Sequence, residues 1–262
     1  PEKQLKFTMK FLIVLTFVVL FQAKAKVLNY TGRIHNGHVA TPGQFPYVVY
    51  VELTLNTETI ACGGTLIGKN WVLTSAHCLE NTLSVTVYLG SYSMDDSEVA
   101  YSLDKSSIFP HPDWNPVHDI SDIALLQIPT TEYCAKISPA PLPKMASKYS
   151  TYADEYATAA GWGMVGNTGP YSDYLLWARM KVISNEDCAY LFNIFPSELC
   201  TKESAAHCPG DSGGPLVLES TGELIGVIDS MSQMGCQDGE PVLYTRVTYF
   251  LDWIKSKTGI SY

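Results

Sequence analysis

Three short segments hold side chains that together could activate a hydroxyl: Thr74-Ser75-Ala76-His77-Cys78, Ser121-Asp122-Ile123-Ala124-Leu125-Leu126 and Gly210-Asp211-Ser212-Gly213-Gly214-Pro215. A serine hydroxyl is a weak nucleophile until an imidazole beside it takes its proton. A carboxylate behind the imidazole fixes the tautomer and stabilises the imidazolium that forms. Glycines around the serine let the backbone approach a carbonyl closely enough for N–H groups to hold a developing oxyanion. Ser212, His77 and Asp122 therefore read as nucleophile, base and orienting acid. Each segment alone has a plainer explanation: a structural histidine, a turn acid, a glycine-rich loop. Their conjunction carries the weight.

Side chains this far apart in sequence meet only on rigid elements. From Ile34 onward, short apolar stretches alternate with turn residues, and strands are expected over 47–55, 64–67, 71–75, 85–89 and 123–128. The second half repeats the pattern over 156–162, 175–182, 215–218, 224–228 and 242–247, with Gly or Pro in nearly every gap. Only 249–257 has helical spacing, with apolar Phe250, Leu251, Trp253 and Ile254 followed by Lys255 and Lys257. Many short strands and one late helix predict an all-β domain of sandwich or barrel type.

The 262 residues are 46% hydrophobic and 16% charged, which permits a sizeable core and argues against general disorder. The amino end reads separately. Met9-Lys10 opens a basic start, 11–21 is almost wholly apolar, and Ala23-Lys24-Ala25 has the small-x-small pattern of a signal-peptidase site. The apolar run is about half of what spans a bilayer. Residues 1–25 are thus expected to be a signal-peptide region with its initiator at Met9, and the product to be secreted and extracellular. Residues 26–33 are too few to fold alone and carry an Asn29-Tyr30-Thr31 sequon. The full chain has a net charge of −9; residues 1–33 hold six of its 17 basic and one of its 26 acidic residues, leaving −14 for the rest. Such acidity disfavours nucleic acid and anionic membrane as partners. Seven cysteines in a secreted chain imply disulfides with one thiol left over, and spacing alone leaves the pairing open.

Segments 74–78, 122–126 and 210–215 resemble the three signature segments of chymotrypsin-like serine proteases, in that family's order His, Asp, Ser. Cys62-Gly63-Gly64-Thr65-Leu66-Ile67, Gly161-Trp162-Gly163, and Tyr244-Thr245-Arg246-Val247 ahead of Trp253-Ile254 are similar too, so the resemblance runs over 34–257. It implies an all-β domain over 34–262, built of two six-stranded antiparallel β-barrels with a C-terminal helix and the site in the cleft between them. It implies pairing Cys62 with Cys78, Cys188 with Cys200, and Cys208 with Cys236, leaving Cys134, for which a buried apolar thiol is expected ahead of an intermolecular bridge. It implies an endopeptidase acting on protein or peptide substrates through an acyl-enzyme on Ser212, with the oxyanion held by the amides of Gly210 and Ser212 and no cofactor. A monomeric zymogen is expected, in which an activating protease cuts after Arg33. The freed amine of Ile34 would then pair with Asp211 and order the oxyanion hole. The local Ile34-His35-Asn36-Gly37 departs from the family's usual Ile-Val-Gly-Gly at its second and third positions.

In the family, the pocket for the residue before the scissile bond is lined by segments corresponding here to Ala206-His207-Cys208, Asp229-Ser230-Met231-Ser232 and Pro241-Val242-Leu243. Ala206 at the floor offers no carboxylate for a substrate cation, which argues against arginine or lysine. Met231 and Val242 stand where wide-pocket relatives have glycine, so small or medium apolar residues are the first expectation. Methionine's flexibility keeps larger residues open. His207 is placed to recruit a polar or acidic group.

Asp229 replaces the serine that normally bonds the triad acid. Two carboxylates so placed repel, and one tends to take up a proton. This altered wall supports a second reading, a protease homologue that has lost turnover and acts as a secreted binding or regulatory protein. An α/β-hydrolase esterase is excluded by the motif and by the serine coming last. No metal site is expected: Asp95, Asp96 and Glu98 lack an EF-hand ligand spacing, and His111 and His118 stand apart from other ligands.

Overall fold

The computed structural model describes residues 34–144 and 150–260; the expected signal peptide and residues 26–33, with Arg33, lie outside the described residues. The described chain opens with β1 (His38–Val39), then forms β2 (Val48–Thr54), β3 (Thr59–Gly68), β4 (Trp71–Thr74), β5 (Ser84–Leu89), β6 (Val99–Leu103), β7 (Ile108–Pro110) and β8 (Ala124–Gln127). These last seven make one antiparallel sheet in the order β6-β5-β2-β3-β4-β8-β7. Its two edges, β6 and β7, are separated only by residues 104–107, so one bent run of chain lies at both edges. In β5 the period of two is plain, with Val85, Val87 and Leu89 inward and Ser84 exposed.

The second sheet contains β9 (Tyr156–Gly161), β10 (Leu176–Ile183), β11 (Glu198–Thr201), β12 (Pro215–Leu218), β13 (Leu224–Ile228) and β14 (Val242–Arg246). The order is β1-β10-β11-β14-β13-β12-β9, and β9 also pairs with β10, which closes a ring of six with β1 added at its side. The all-β fold with a C-terminal helix is therefore present as two barrel-like sheets, one a ring of six closed by hydrogen bonds and the other a half-barrel whose edge strands are joined by one bent run of chain. Strands β12, β13 and β14 are buried at every residue. Strands covered on both faces read as continuous apolar runs, as Leu224–Ile228 does.

Each barrel has its own core. Val49, Val51, Leu66, Val87 and Leu126 fill the first, and Leu176, Met180, Leu216 and Tyr244 the second. Between them Leu73, Leu125, Val217, Val227, Phe250, Leu251 and Ile254 form a third cluster, which fixes the barrels against each other and against the last helix. Each fully buried side chain of this kind stabilises by roughly 1.5–3 kcal/mol. Two short α-helices are described: α1 (Asn185–Cys188), whose N-cap Ser184 accepts from Asp187 N–H, and α2 (Leu251–Thr258). The second ends where Gly259 takes φ 72°, its N–H bonding to the Lys255 carbonyl. It begins later than its periodicity suggests, because Val247–Phe250 form a 3-10 turn first.

Cys62 bridges Cys78, Cys188 bridges Cys200, and Cys208 bridges Cys236. Cys134 corrects the expectation: it is free and exposed, in a surface turn where it pairs only with Ile137.

Candidate active site

His77 sits just past β4, at the start of a 3-10 helix over His77–Leu79. Asp122 immediately precedes the strand region that begins β8 at Ala124, and β4 pairs with β8 through Thr74 opposite Ala124. That ladder brings the two side chains together. Asp122 Oδ1 accepts from the His77 backbone N–H at 2.7 Å, and Oδ2 lies 2.6 Å from Nδ1. Asp122 is buried while the imidazole remains about a third exposed, its side-chain accessibility 35%. Burial opposes charging of His77, but the hydrogen bond and charge of Asp122 outweigh it, and the imidazole pKa lies above its ordinary value. Thr245 Oγ1 donates to the Asp122 carbonyl at 2.8 Å, tying the triad acid to β14 of the other barrel. Ser121, just before Asp122, takes φ 59°, a conformation uncommon for a residue with a Cβ.

Ser212 lies in the turn before β12, and its carbonyl accepts from Gly63 N–H in β3 at 2.7 Å. The disulfide sulfur of Cys78 is 3.7 Å from that same carbonyl oxygen and 3.7 Å from Nε2 of His77, so the serine turn and the open face of the imidazole meet at one point. Gly213 (φ 82°) has no room for a side chain: a Cβ there would lie 2.2 Å from Thr74 Oγ1 and 2.5 Å from the Gly63 carbonyl. Gly213→Ala is expected to push the turn off β3, lowering the melting temperature by several degrees and abolishing Ser212 reactivity, as read by calorimetry and probe labelling. Gly210 (φ 94°) presses on the Tyr171 ring, where a Cβ would come within 2.4 Å.

Asp211 points the other way, wholly buried, and accepts from Gly163 N–H at 2.7 Å and Cys208 N–H at 2.9 Å. Burial pushes its carboxyl up to about 6 despite both bonds. Gly161 and Gly163 make the space, since a Cβ on either would strike this carboxylate. Ile34 is fully buried in the core cluster that also holds Ala206 and Cys208, and His35 bridges Ala206 through a pair of backbone bonds.

The family model for trypsin matches residues 34–254. The chain belongs to the trypsin family of serine proteases. It is 37% identical over 263 residues to a collagenase of Hypoderma lineatum, covering 98% of this chain and 99% of that one. Serine protease 1 of Drosophila melanogaster is 35% identical over 233 residues, with 88% of each chain covered. Among solved structures, HL collagenase superimposes with a TM-score of 0.81 at 38% identity, over 87% of this chain and 99% of that one. The trypsin-family chain is accordingly a serine endopeptidase, with protein substrates.

In this trypsin-family chain Ala206 is buried beside Val242 and Tyr244, with Met231 packed partly buried against the same cluster. His207 turns away into the core. It is 1% exposed, sits edge-on to Tyr244 at 5.3 Å between ring centroids, and is held by the Leu243 carbonyl. Burial pushes its pKa down to about 4, so the ring is neutral and its role is packing behind Tyr244. The acidic loop is satisfied locally: Asp96 accepts from Tyr92 and Ser93 N–H groups, and Glu98 pairs with Lys136 at 2.6 Å. His111 packs edge-to-face against Phe250 and Trp253.

Asp229 faces the triad. It is 4% exposed, and neither carboxyl oxygen receives an N–H or hydroxyl hydrogen. Burial foremost, then the charges of Asp122, Asp119 and Glu198, hold its carboxyl well above the ordinary range. Glu198 is itself pushed up to about 7, by burial first and then by Asp119. Sequence reasoning missed Asp119 and Glu198. Asp119 stands three residues before Asp122, a signal that was available, whereas nothing local marks Glu198.

Proposed function

We propose that residues 34–262 are the protease domain of a secreted zymogen, released after Arg33 by another protease, that cleaves peptide bonds through an acyl-enzyme on Ser212. His77 Nε2 takes the serine proton as Oγ attacks the carbonyl, then delivers it to the leaving amine; water reverses the sequence on the ester. The amides of Gly210 and Ser212 receive the oxyanion. The observation that supports this best is the pair of bonds from His77 to Asp122, which leaves Nε2 as the proton acceptor. A fluorophosphonate probe should label Ser212 only after cleavage at Arg33, with Ser212→Ala as control. Full labelling of an Arg33→Gln precursor would sink the zymogen half of the proposal.

Ala206, Met231 and Val242 line the pocket for a small or medium apolar side chain before the scissile bond. The clustering of all three supports a narrow, uncharged site. Met231→Gly is expected to raise kcat/KM for phenylalanyl over alanyl substrates by roughly tenfold or more, and an unchanged ratio would place the pocket elsewhere. The buried Asp229 favours a second reading, a protein without turnover, which absence of labelling in a cleanly cleaved sample would establish.

A further inference from the structure

Four buried or half-buried carboxyl groups lie within mutual influence beside the triad: Asp122, Asp229, Asp119 and Glu198. None of the ion pairs among the described residues pairs Asp229 or Glu198 with a lysine or arginine. One ligand atom each from His77, Asp122 and Asp229 falls within 4.8 Å of the other two. Asp229 is the member that needs a partner, being 96% buried by its 4% exposure, with both oxygens unserved by any N–H or hydroxyl. No cation among the described residues pairs with that carboxyl and no donated hydrogen reaches it, so at that point the fold has room for a positive charge.

We propose that His77, Asp122 and Asp229 form an inhibitory site for a zinc ion, with Asp119 as the next carboxylate out. The donor set of one imidazole and carboxylate oxygens is one that zinc accepts, in a tetrahedron with bonds of about 2.0–2.2 Å. Neighbouring ligands in such a tetrahedron are roughly 3.3 Å apart. His77 Nδ1 and Asp122 Oδ2, now 2.6 Å apart, need only separate by under an ångström. The imidazole can make that movement, since it is the exposed member of the pair. A hard ion such as calcium fits less well, because it asks for six or more oxygens.

The chemistry of inhibition follows from the tautomer. Zinc at Nδ1 requires that nitrogen to be free of hydrogen, so the ring proton moves to Nε2. Nε2 then donates and cannot take the proton of Ser212. Any proton that Asp229 carries passes to solvent as the metal enters. No bond to substrate is involved, and removal of the ion restores the original tautomer. The three ligands come from segments around positions 77, 122 and 229, which is why no ligand spacing is visible along the chain.

The inhibition rests on the peptidase reading, but the site does not, and the experiment separates them. Metal content after equilibrium dialysis against micromolar zinc chloride at pH 7.5 should be one ion per chain for the cleaved protein and for Ser212→Ala. Asp229→Ser and the near-isosteric Asp229→Asn should each bind at least tenfold more weakly, their folding checked by thermal melting. Fluorophosphonate labelling of the unmodified protein should fall in step with zinc occupancy, return on adding EDTA, and be untouched by equal calcium. Zinc binding of equal strength in both Asp229 variants would overturn the site. One ion bound with labelling unaffected would overturn its inhibitory role. Zinc held by Ser212→Ala, in a protein whose parent never labels, would support the site while removing the peptidase reading.

Discussion

Asp122→Asn should fold normally and hydrolyse peptides about 10⁴-fold more slowly at neutral pH, the general cost of the wrong imidazole tautomer in such a triad. The geometry here dictates why. Oδ1 accepts from the His77 backbone N–H and Oδ2 from Nδ1, so both oxygens are used as acceptors. An asparagine keeps one oxygen for the backbone N–H and turns its NH₂ towards Nδ1. That nitrogen must then accept, the ring hydrogen goes to Nε2, and the base for Ser212 is lost. Stability should not fall, because the substitution removes a negative charge from a cluster that already contains Asp119, Asp229 and Glu198. Adding Ser212→Ala to this variant should cost little more, since the two residues act as one unit. A loss under tenfold, with a melting temperature at or above the parent's, would mean that Asp122 does not orient the base.

What could be read from the chain beforehand was whatever has a local signature. β5 states its own period, the apolar runs of β2 and β13 state strands by their length and bounding turns, and the glycine-rich turn at Ser212 states its need for close backbone approach. Strands β1, β6, β7 and β11 were not anticipated, nor was α1. β1 and β7 are too short to show a period, and β11 begins with Glu198, a residue that argues against a buried strand until its partner on β14 is known. β6 carries alternation, but its outward residues and the neighbouring acidic loop mask it. Side-chain direction was the other limit. His207 and Met231 are neighbours of the same pocket in sequence terms, yet only Met231 stays partly exposed, while His207 packs behind Tyr244. Cys134, left without a partner by the pairing that the resemblance implies, was expected inside as an apolar thiol, and a turn placed it outside. The surplus of carboxylates around the triad is a property of packing between barrels, with contributions from segments near 119, 198 and 229, so no window of sequence contains it.

Cleavage after Arg33 should make the protein more stable, by an amount that grows between pH 4 and pH 7. In the uncleaved chain Ile34 contributes a neutral peptide, and Asp211 is buried with two backbone N–H groups as its hydrogen-bond donors. Its carboxyl is raised to about 6. A raised carboxyl favours the folded state in its protonated form, so its contribution is full below the unfolded value near 4 and is lost as pH rises through 6, on the order of 3 kcal/mol in all. The ammonium freed on Ile34 reverses the sign. Paired with it, Asp211 is held ionised, and its contribution is present above the unfolded value rather than below it. The two forms should therefore melt together near pH 4 and apart at pH 7, in paired calorimetric scans. At alkaline pH the advantage should fade again as the amine, its pKa raised by the same pair, loses its proton. Asp211→Asn removes both effects: cleaved and uncleaved samples should melt alike at every pH. With no pair to order the amides of Gly210 and Ser212, kcat/KM should fall by about 10²–10³. A stability gap that is constant with pH would show that the buried chain start at Ile34 acts by packing alone, and that Asp211 is not its partner.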